Sequence, residues 1–292
     1  MKKCGILIVN AFIGGAGFTD AYERLCAAMR RRGVSLVLKT NAELLLDASS
    51  GGLLSAVRPD FAILWDKDVR LGLQLERMGV RLYNSARAVA VCDDKALTHI
   101  ALGGKLPMPK TVVAPFTYPN AGYGGFSFLR EAEKHLSYPL VIKECFGSYG
   151  AQVYLARSAA EAEAILIKTA ERPVLLQEFI AESAGTDIRV IVVGDRAVAA
   201  MRRTNRADFR ANLANGGTAQ SHTLSAEEEA LAVSASRELK LDFCGVDLLL
   251  SKSGPLLCEV NSNAQFKGIL SCTGVDAAEH IAEHVLLKEG LL

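Results

Sequence analysis

Residues 255–270 read PLLCEVNSNAQFKGIL. The segment starts as an apolar strand and then sets Glu259, Asn261 and Asn263 at every second position. Alternate residues of a strand share a face. Glu259 and Asn261 therefore point the same way, and Asn263 joins them if the strand persists. Just upstream, CGVDLLLS (244–251) is a second apolar strand, joined to the first through KSG as a hairpin. Its Asp247 is costly to bury unless something positive pairs with it. The hairpin can bring Asp247 beside Glu259. Two carboxylates and an amide oxygen form a hard, all-oxygen donor set that suits Mg²⁺, an ion that usually keeps waters and shares substrate phosphates. Ordinary strand-end acids capped by solvent are the plain alternative.

A phosphate-bearing ligand would leave marks elsewhere. Lys143 stands in YPLVIKE (138–144), a hydrophobic strand where a lysine is out of place. GSYGAQ (147–152) follows directly, and its Gly147 and Gly150 free the backbone to turn successive N–H groups toward an anion. A plain β-turn reads the same way. Lys95 follows two aspartates in a helix, where a solvated lysine is the ordinary explanation. Arg202, Arg203, Arg206 and Arg210 gather in or beside an irregular segment that reads equally well as a solvated basic loop.

The first third of the chain alternates strand and helix. CGILIVN (4–10) is a strand. Asp20 and Glu23 have capping-box spacing for the next helix, whose Tyr22, Leu25, Cys26 and Met29 recur at helical intervals and which Gly33 ends. SLVLKT (35–40), FAILW (61–65), a helix over 71–78 and VRLYN (80–84) continue a small open α/β unit with a mostly parallel sheet. One long helix, SARAVAVCDDKALTHIAL (85–102), leads out of it to a stiff boundary at LPMP (106–109). An α+β texture follows. Strands KTVVAPF (110–116), YPLVIKECF (138–146), AQVYLA (151–156) and VLLQEFI (174–180) alternate with helices over 128–136 and 159–170, with a glycine-rich loop at 119–126. Strands IRVIVVG (188–194) and RAVAAMRRT (196–204) precede the irregular NRADFRANLANGG (205–217). A helix over 225–239 carries a Ser225–Glu228 capping box, and the hairpin and a last helix over 275–287 close the chain.

Composition narrows the function classes. The chain has 292 residues, enough for two or three packed units, and half are hydrophobic. Lysine and arginine total 33 against 32 acids, a net charge of +1. That balance leaves no electrostatic footprint for nucleic acid or an anionic membrane. Seven scattered cysteines without a CxxC pair read as free thiols in a reducing compartment. The short apolar run near the start reads as a first strand rather than a signal peptide, so the expected location is cytoplasmic. No run approaches the ~20 apolar residues of a membrane span.

Other motif matches are weaker. IGGAGF (13–18) follows the first strand but does not complete GxGxxG, and GxxxxGK[ST] is absent. His280, Glu283 and His284 match HxxEH in the last helix, without an evident third ligand, and read as a solvated helix face.

Taken in order, DDKALTHIAL (93–102), LPMPKTVV (106–113), YPLVIKECFGSYG (138–150), LLQEFIAESAGTDIRVIVVG (175–194), AVAAMRR (197–203), DFRANLANGG (208–217), LSAEEEALA (224–232), GVDLLLS (245–251) and GPLLCEVNSN (254–263) resemble the RimK-type branch of the ATP-grasp ligases. The resemblance implies an α/β and α+β chain with the ATP-grasp fold. It implies an N-terminal α/β pre-ATP-grasp domain over 1–94, a small lid lobe with a linker helix over 95–180, and a C-terminal lobe with a metal site over 181–292. ATP would be clamped between the two α+β lobes. Lys95 and Lys143 match lysines set on its phosphates, and Gln177, Glu178, Phe179 and Ile180 match the segment whose backbone edge reads adenine. Asp187 matches a ribose contact. Arg210, Ala211 and Asn212 match a loop near the phosphates. Asp247, Glu259 and Asn261 match ligands of Mg²⁺, with Mn²⁺ as a substitute. Two departures stand out: Gln152 occupies a position that is often glycine, and Ala264 one that is often proline.

The implied reaction is carboxylate–amine ligation through an acyl phosphate, with ATP as phosphoryl donor. Glutamate or another amino acid would be joined to a peptide or small molecule. Such catalysis is mostly positioning and charge neutralisation. Lys143 serves the phosphates, and Arg203 the acyl phosphate and oxyanion, because a planar guanidinium suits both. The expected partners are a small-molecule or peptide carboxylate and an amine, with no nucleic acid and no membrane; the oligomeric state stays open, a homo-oligomer included. Two further classes are a non-catalytic ATP-binding module and a nicotinamide oxidoreductase built on the N-terminal unit.

Overall fold

The computed structural model describes residues 3–118, 120–263 and 265–292. Ala264 and part of the glycine-rich loop read at 119–126 lie outside the described residues.

The chain opens with β1 (Gly5–Val9), α1 (Ala16–Arg31) and β2 (Leu36–Thr40), then a two-residue ribbon of β3 (Leu46–Asp47) and β4 (Gly52–Leu53). β5 (Phe61–Leu64), α2 (Val69–Arg77), β6 (Arg81–Tyr83) and α3 (Ala86–Asp93) complete the first layer. Its four strands are parallel, in the order β2-β1-β5-β6. β1 and β5 are buried along their whole length, as strands covered on both faces must be.

Two local expectations fail here. Asp20 does not cap α1. The helix starts five residues earlier, from Gly15 at φ +128°, with no side-chain cap. That φ suits glycine, so the glycine pair makes the turn and Asp20 instead bonds Arg24 one turn on, at 3.0 Å. The long helix of 85–102 is two helices, α3 and α4 (Lys95–Leu102). Asp94 adopts an extended backbone between them, and its carboxylate accepts from the Ala96 and Leu97 N–H groups at 2.8 and 3.2 Å. Aspartate favours this N-cap geometry over helix interior. The break frees the Lys95 N–H to donate to the Cys145 carbonyl at 3.0 Å, tying α4 to the next sheet.

That sheet contains β7 (Thr111–Val113), β8 (Leu140–Glu144), β9 (Val153–Ala156) and β10 (Val174–Glu178), antiparallel in the order β7-β10-β8-β9. α5 (Ser127–Ala132) and α6 (Ala159–Thr169) lie against one face. Leu140, Ile142, Val174 and Leu176 pack there on Leu129 and Leu166. Strand alternation therefore turns Val141 and Lys143 to the other face.

The third sheet holds β11 (Thr186–Val193), β12 (Arg196–Thr204), β13 (Thr218–Ser221), β14 (Phe243–Ser251) and β15 (Gly254–Asn261), in the order β13-β12-β11-β14-β15. Ile188, Val190, Val246 and Leu257 pack under α7 (Ala226–Glu238) through Leu231, Ala232 and Ala235. The expected Ser225–Glu228 capping box opens that helix. Ile191, Val193 and Phe243 on the opposite face share a core with α8 (Lys267–Thr273) and α9 (Ala277–Glu289). Leu25 and Met29 of α1 join that same core, so the closing helix seals the first layer against the third. No described helix is long and apolar enough to cross a membrane.

Candidate active site

The polar face of the third sheet carries a row of charges fixed by strand register. The β14–β15 hairpin pairs Asp247 directly with Glu259 and Gly245 with Asn261. A bulge follows: Asp247 opposes Glu259, while Leu248 opposes Leu257. The extra residue, Cys258, is thereby turned to the same cleft as Glu259. On the other side of β14, Arg189 of β11 stands opposite Asp247, and two residues further along β11 Asp187 stands opposite Arg203 of β12.

These residues are locked together. Arg189 grips Asp247 through Nε and Nη2, both at 2.6 Å, and Arg203 grips Asp187 in the same two-pronged way at 2.6 Å. Arg203 Nη2 also reaches Asp247 at 3.0 Å. Forked guanidinium–carboxylate pairs of this kind are the strong class of charge-assisted bond. Burial opposes ionisation of Asp247, but Arg189 and Arg203 overcome it and hold its carboxyl below the usual carboxylate range. Arg203 is 3 % exposed, so the reading of residues 202–210 as a solvated basic loop fails for it. β12 alternates, sending Arg202 to solvent and Arg203 inward.

The two lysines approach from the other side. Lys95 and Lys143 are both buried, so the plain alternative of a solvated Lys95 fails. Lys95 Nζ lies 3.5 Å from Glu259 and 3.3 Å from the Gly147 carbonyl. Lys143 Nζ has a much poorer partner, the Cys258 sulfur at 3.5 Å. Burial pushes the Cys258 thiol up, with Lys143 pulling the other way, so the thiol stays protonated and leaves the lysine charge uncompensated.

A cleft lies between the second and third sheets. Asp187, Asp247, Glu259 and Asn261 line its floor, and Lys95 and Lys143 its wall. Gln177, Glu178, Phe179 and Ile180 line it as β10 runs out. The Gln177 side chain is turned away, donating to Thr111 Oγ1 at 2.9 Å and meeting His99 at 3.1 Å. What the segment offers there is largely backbone. Burial, aided by Lys143, pushes His99 down to about 4, so its neutral ring can accept from Gln177.

Arg210, Ala211 and Asn212 form the rim. Arg210 donates to the Gly150 carbonyl at 2.6 Å and pairs with Asp208 at 2.6 Å, holding the 147–152 loop down over the cleft. Gly147, Tyr149 and Gly150 of that loop all have positive φ. Gln152 accepts from the Ser148 N–H at 3.2 Å, and its amide oxygen would lie 2.3 Å from a Cβ at Gly147. The departure at Gln152 thus becomes an internal brace of the loop.

Arg203 does not line this cleft. It lines a second one, which Arg189, Lys95, Glu259 and Asn261 border as well. Arg189 borders both clefts. Sequence reasoning passed over Arg189, although an arginine at alternate spacing from Asp187 in an apolar strand was a usable signal. The far wall of the second cleft comes from the first layer, including Asn10, Tyr22, Trp65 and Asp66. Asn10 follows β1, Trp65 and Asp66 follow β5, and Tyr22 lies in α1; nothing local in the sequence ties them to the hairpin.

The donor set fits a hard divalent cation. Two carboxylates face one another across the hairpin. The buried side-chain amide of Asn261 has an unpartnered Nδ2, so no hydrogen bond from that nitrogen holds the amide in place. Among the described residues no group of three or more His, Cys, Asp or Glu side chains is close enough to hold a metal, so a cation here depends on the amide and on non-protein oxygens. The HxxEH match is no metal site either: His284 bonds Asp242 at 2.9 Å, and Lys288 shares the same carboxylate at 2.6 Å.

A family model described as a RimK-like ATP-grasp domain matches residues 125–285. A protein of Vibrio atlanticus named probable alpha-L-glutamate ligase is 38 % identical over 217 residues, 73 % of this chain and 69 % of that protein. Among solved structures, a RimK domain ATP-grasp protein of Sphaerobacter thermophilus superposes with TM-score 0.73 at 23 % identity, covering 96 % of this chain and 98 % of that one. The ATP-grasp ligase PsnB, solved with a minimal precursor, Mg and ADP, superposes with TM-score 0.69 at 17 % identity over 98 % of both chains.

Proposed function

The chain belongs to the RimK-like ATP-grasp family and is an ATP-dependent ligase forming C–N bonds; from that premise we propose how its residues divide the work. ATP occupies the cleft between the second and third sheets, with its base along the backbone of 178–180 and its phosphates at Lys95, Lys143 and the 147–152 loop. Asp247, Glu259 and Asn261 hold Mg²⁺. The ion supplies charge neutralisation on the transferring phosphoryl group.

The γ-phosphoryl group passes to a carboxylate oxygen: the bond to the bridging oxygen of ADP breaks and a new O–P bond forms. The amine nitrogen then attacks the acyl carbon and loses a proton. The C–O bond to phosphate breaks, and phosphate leaves with one oxygen of the original carboxylate. Arg189 and Arg203 border the second cleft, where the carboxylate would lie, and their guanidinium groups steady the acyl phosphate and the oxyanion. The protein needs no covalent nucleophile for this. It must align three reactants.

The observation that carries this reading is the meeting of the two clefts at Arg189, Lys95, Glu259 and Asn261. Before ligand arrives, the carboxylates suited to the cation are paired with the cations suited to phosphate: Asp247 with Arg189, and Glu259 with Lys95. Binding a metal nucleotide would exchange those partners. The relatives' name supports glutamate as one substrate; the other, in this reading, is a peptide or small molecule. A carboxylate substrate labelled with ¹⁸O tests the chemistry: one label must appear in released phosphate and depend on both ATP and an amine. Phosphate free of label refutes the acyl-phosphate route. The nicotinamide reading is not favoured: no described residue of the 13–18 glycine turn lines the cleft between the second and third sheets.

A further inference from the structure

The second cleft contains groups that the reaction above does not use. Six buried side-chain polar atoms lack a hydrogen-bond partner among the described residues, and four of them belong to residues lining this cleft: Trp65 Nε1, Asn261 Nδ2, Ser262 Oγ and Asn263 Oδ1. Unpaired buried polar atoms are rare and costly in native proteins, and their gathering at one cavity marks a place where a ligand completes the bonding. Trp65 and Ser262 are themselves 4 % and 2 % exposed, so solvent at the surface does not serve them.

The cleft is also electrically polarised. At the end shared with the nucleotide cleft stand Arg189 and Arg203. In the wall from the first layer stands Asp66, 7 % exposed and without a cation partner among the described residues. Its carboxylate accepts from the Lys67 N–H at 2.7 Å and, at the long distances of 3.3 and 3.4 Å, from Asn10 Nδ2. The adjacent ammonium of Lys67 is committed to Asp93 instead. Burial accordingly raises the Asp66 carboxyl above its ordinary range. A buried acid is costly until a positive charge meets it, and Asp66 sits at the carboxyl end of a parallel strand, where open α/β sheets take ligands.

Resting on the ligase reading, the geometry points to a subsite for a zwitterion: the molecule whose carboxylate is activated also carries an ammonium group. Its carboxylate lies at Arg189 and Arg203, and its ammonium pairs with Asp66 and Asn10 Oδ1 beside the indole of Trp65. The substrate class is therefore an amino acid or a short peptide with a free amine, rather than a purely anionic acid.

The probes are ω-amino acids from glycine to 6-aminohexanoate, each beside its N-acetyl counterpart. Binding is read by saturation-transfer NMR on the protein with a non-hydrolysable ATP analogue and Mg²⁺, and turnover by phosphate release with ATP and the same excess of glutamate as amine in every assay. At least one chain length should bind and turn over, with N-acetylation weakening it roughly 30-fold or more, the loss expected when one partner of a buried charge pair is removed. Asp66→Asn keeps the shape and should abolish that discrimination while leaving ADP affinity unchanged. Equal use of free and acetylated probes overturns the subsite and leaves the ligase reading intact. Selective binding of the free amines without phosphate release has the opposite result. Failure of every free amine to bind, or an Asp66→Asn protein that still discriminates, also overturns it. The comparison on the unaltered protein decides the matter even if the variant folds poorly.

Discussion

Arg189→Leu tests the charged row most sharply. The substitution keeps an apolar stem and removes both 2.6 Å bonds to Asp247, whose side chain is only 5 % exposed. Breaking a buried pair typically costs 3–5 kcal/mol. Arg203 remains at 3.0 Å and recovers part of that, which sets the expected loss near the low end, about 3 kcal/mol, or roughly 6–10 °C in Tm. Differential scanning calorimetry without nucleotide reads it directly. The same variant predicts something about the cation. With Arg189 gone, the Asp247 carboxylate has only one competitor for Mg²⁺. The extra stabilisation that Mg²⁺ adds to ADP binding should therefore be at least as large as in the parent protein, and should vanish in Asp247→Asn. A Tm within a degree of the parent means the pair is worth little. An Mg²⁺ increment lost in Arg189→Leu but kept in Asp247→Asn refutes the assignment of Asp247 to the cation.

Three further outcomes follow from the site. Lys143→Met removes a buried cation that has only the Cys258 sulfur for company, so the ligand-free protein should gain about 1 kcal/mol while losing the stabilisation that ADP confers, both read by thermal shift. Arg203→Lys keeps the charge but not the fork that spans Asp187; amide formation should fall by roughly 100-fold with ADP affinity nearly unchanged, and equal loss of nucleotide binding in titration calorimetry contradicts its assigned role. His99 is held at about 4 in the folded chain, below the usual 6.5 of the unfolded one. Its contribution is thus complete above pH 6.5 and is lost as pH falls from 6.5 to 4, by up to about 3 kcal/mol. Urea midpoints at pH 7 and pH 4.5 should diverge in the parent and diverge less in His99→Gln.

The parts of this site that could be read in the sequence were those fixed by local pattern. A short KSG connection between apolar strands makes a hairpin, so Asp247 near Glu259 was legible, but the register next to the turn would set Asp247 opposite Cys258, and it is the bulge, which no local pattern announced, that pairs it with Glu259. Lys143 announced itself by polarity in a buried strand. Arg189 was not found because its partner, Asp247, lies 58 residues away on another strand, and register between distant strands is set by the whole core rather than by neighbours. The break at Asp94 was missed because two aspartates inside a helical period look like a solvated face; the cap becomes visible only through the bonds it makes. The Asp20–Glu23 spacing misled for the converse reason, since a glycine pair upstream had already turned the chain. The far wall of the second cleft comes from α1 and the ends of the first sheet's strands, and long-range packing, such as Trp65 stacked on Phe243, brings it over the hairpin.

The central claim is that Asp247, Glu259 and Asn261 jointly hold a divalent cation against the nucleotide. Anomalous diffraction from crystals grown with Mn²⁺ and ADP measures it directly. The account predicts one or more Mn²⁺ peaks at about 2.2 Å from oxygens of all three side chains and from the β-phosphate, with Arg189 drawn off Asp247. A peak at any other site, or Asp247 still fully gripped by Arg189 beside bound nucleotide, contradicts it.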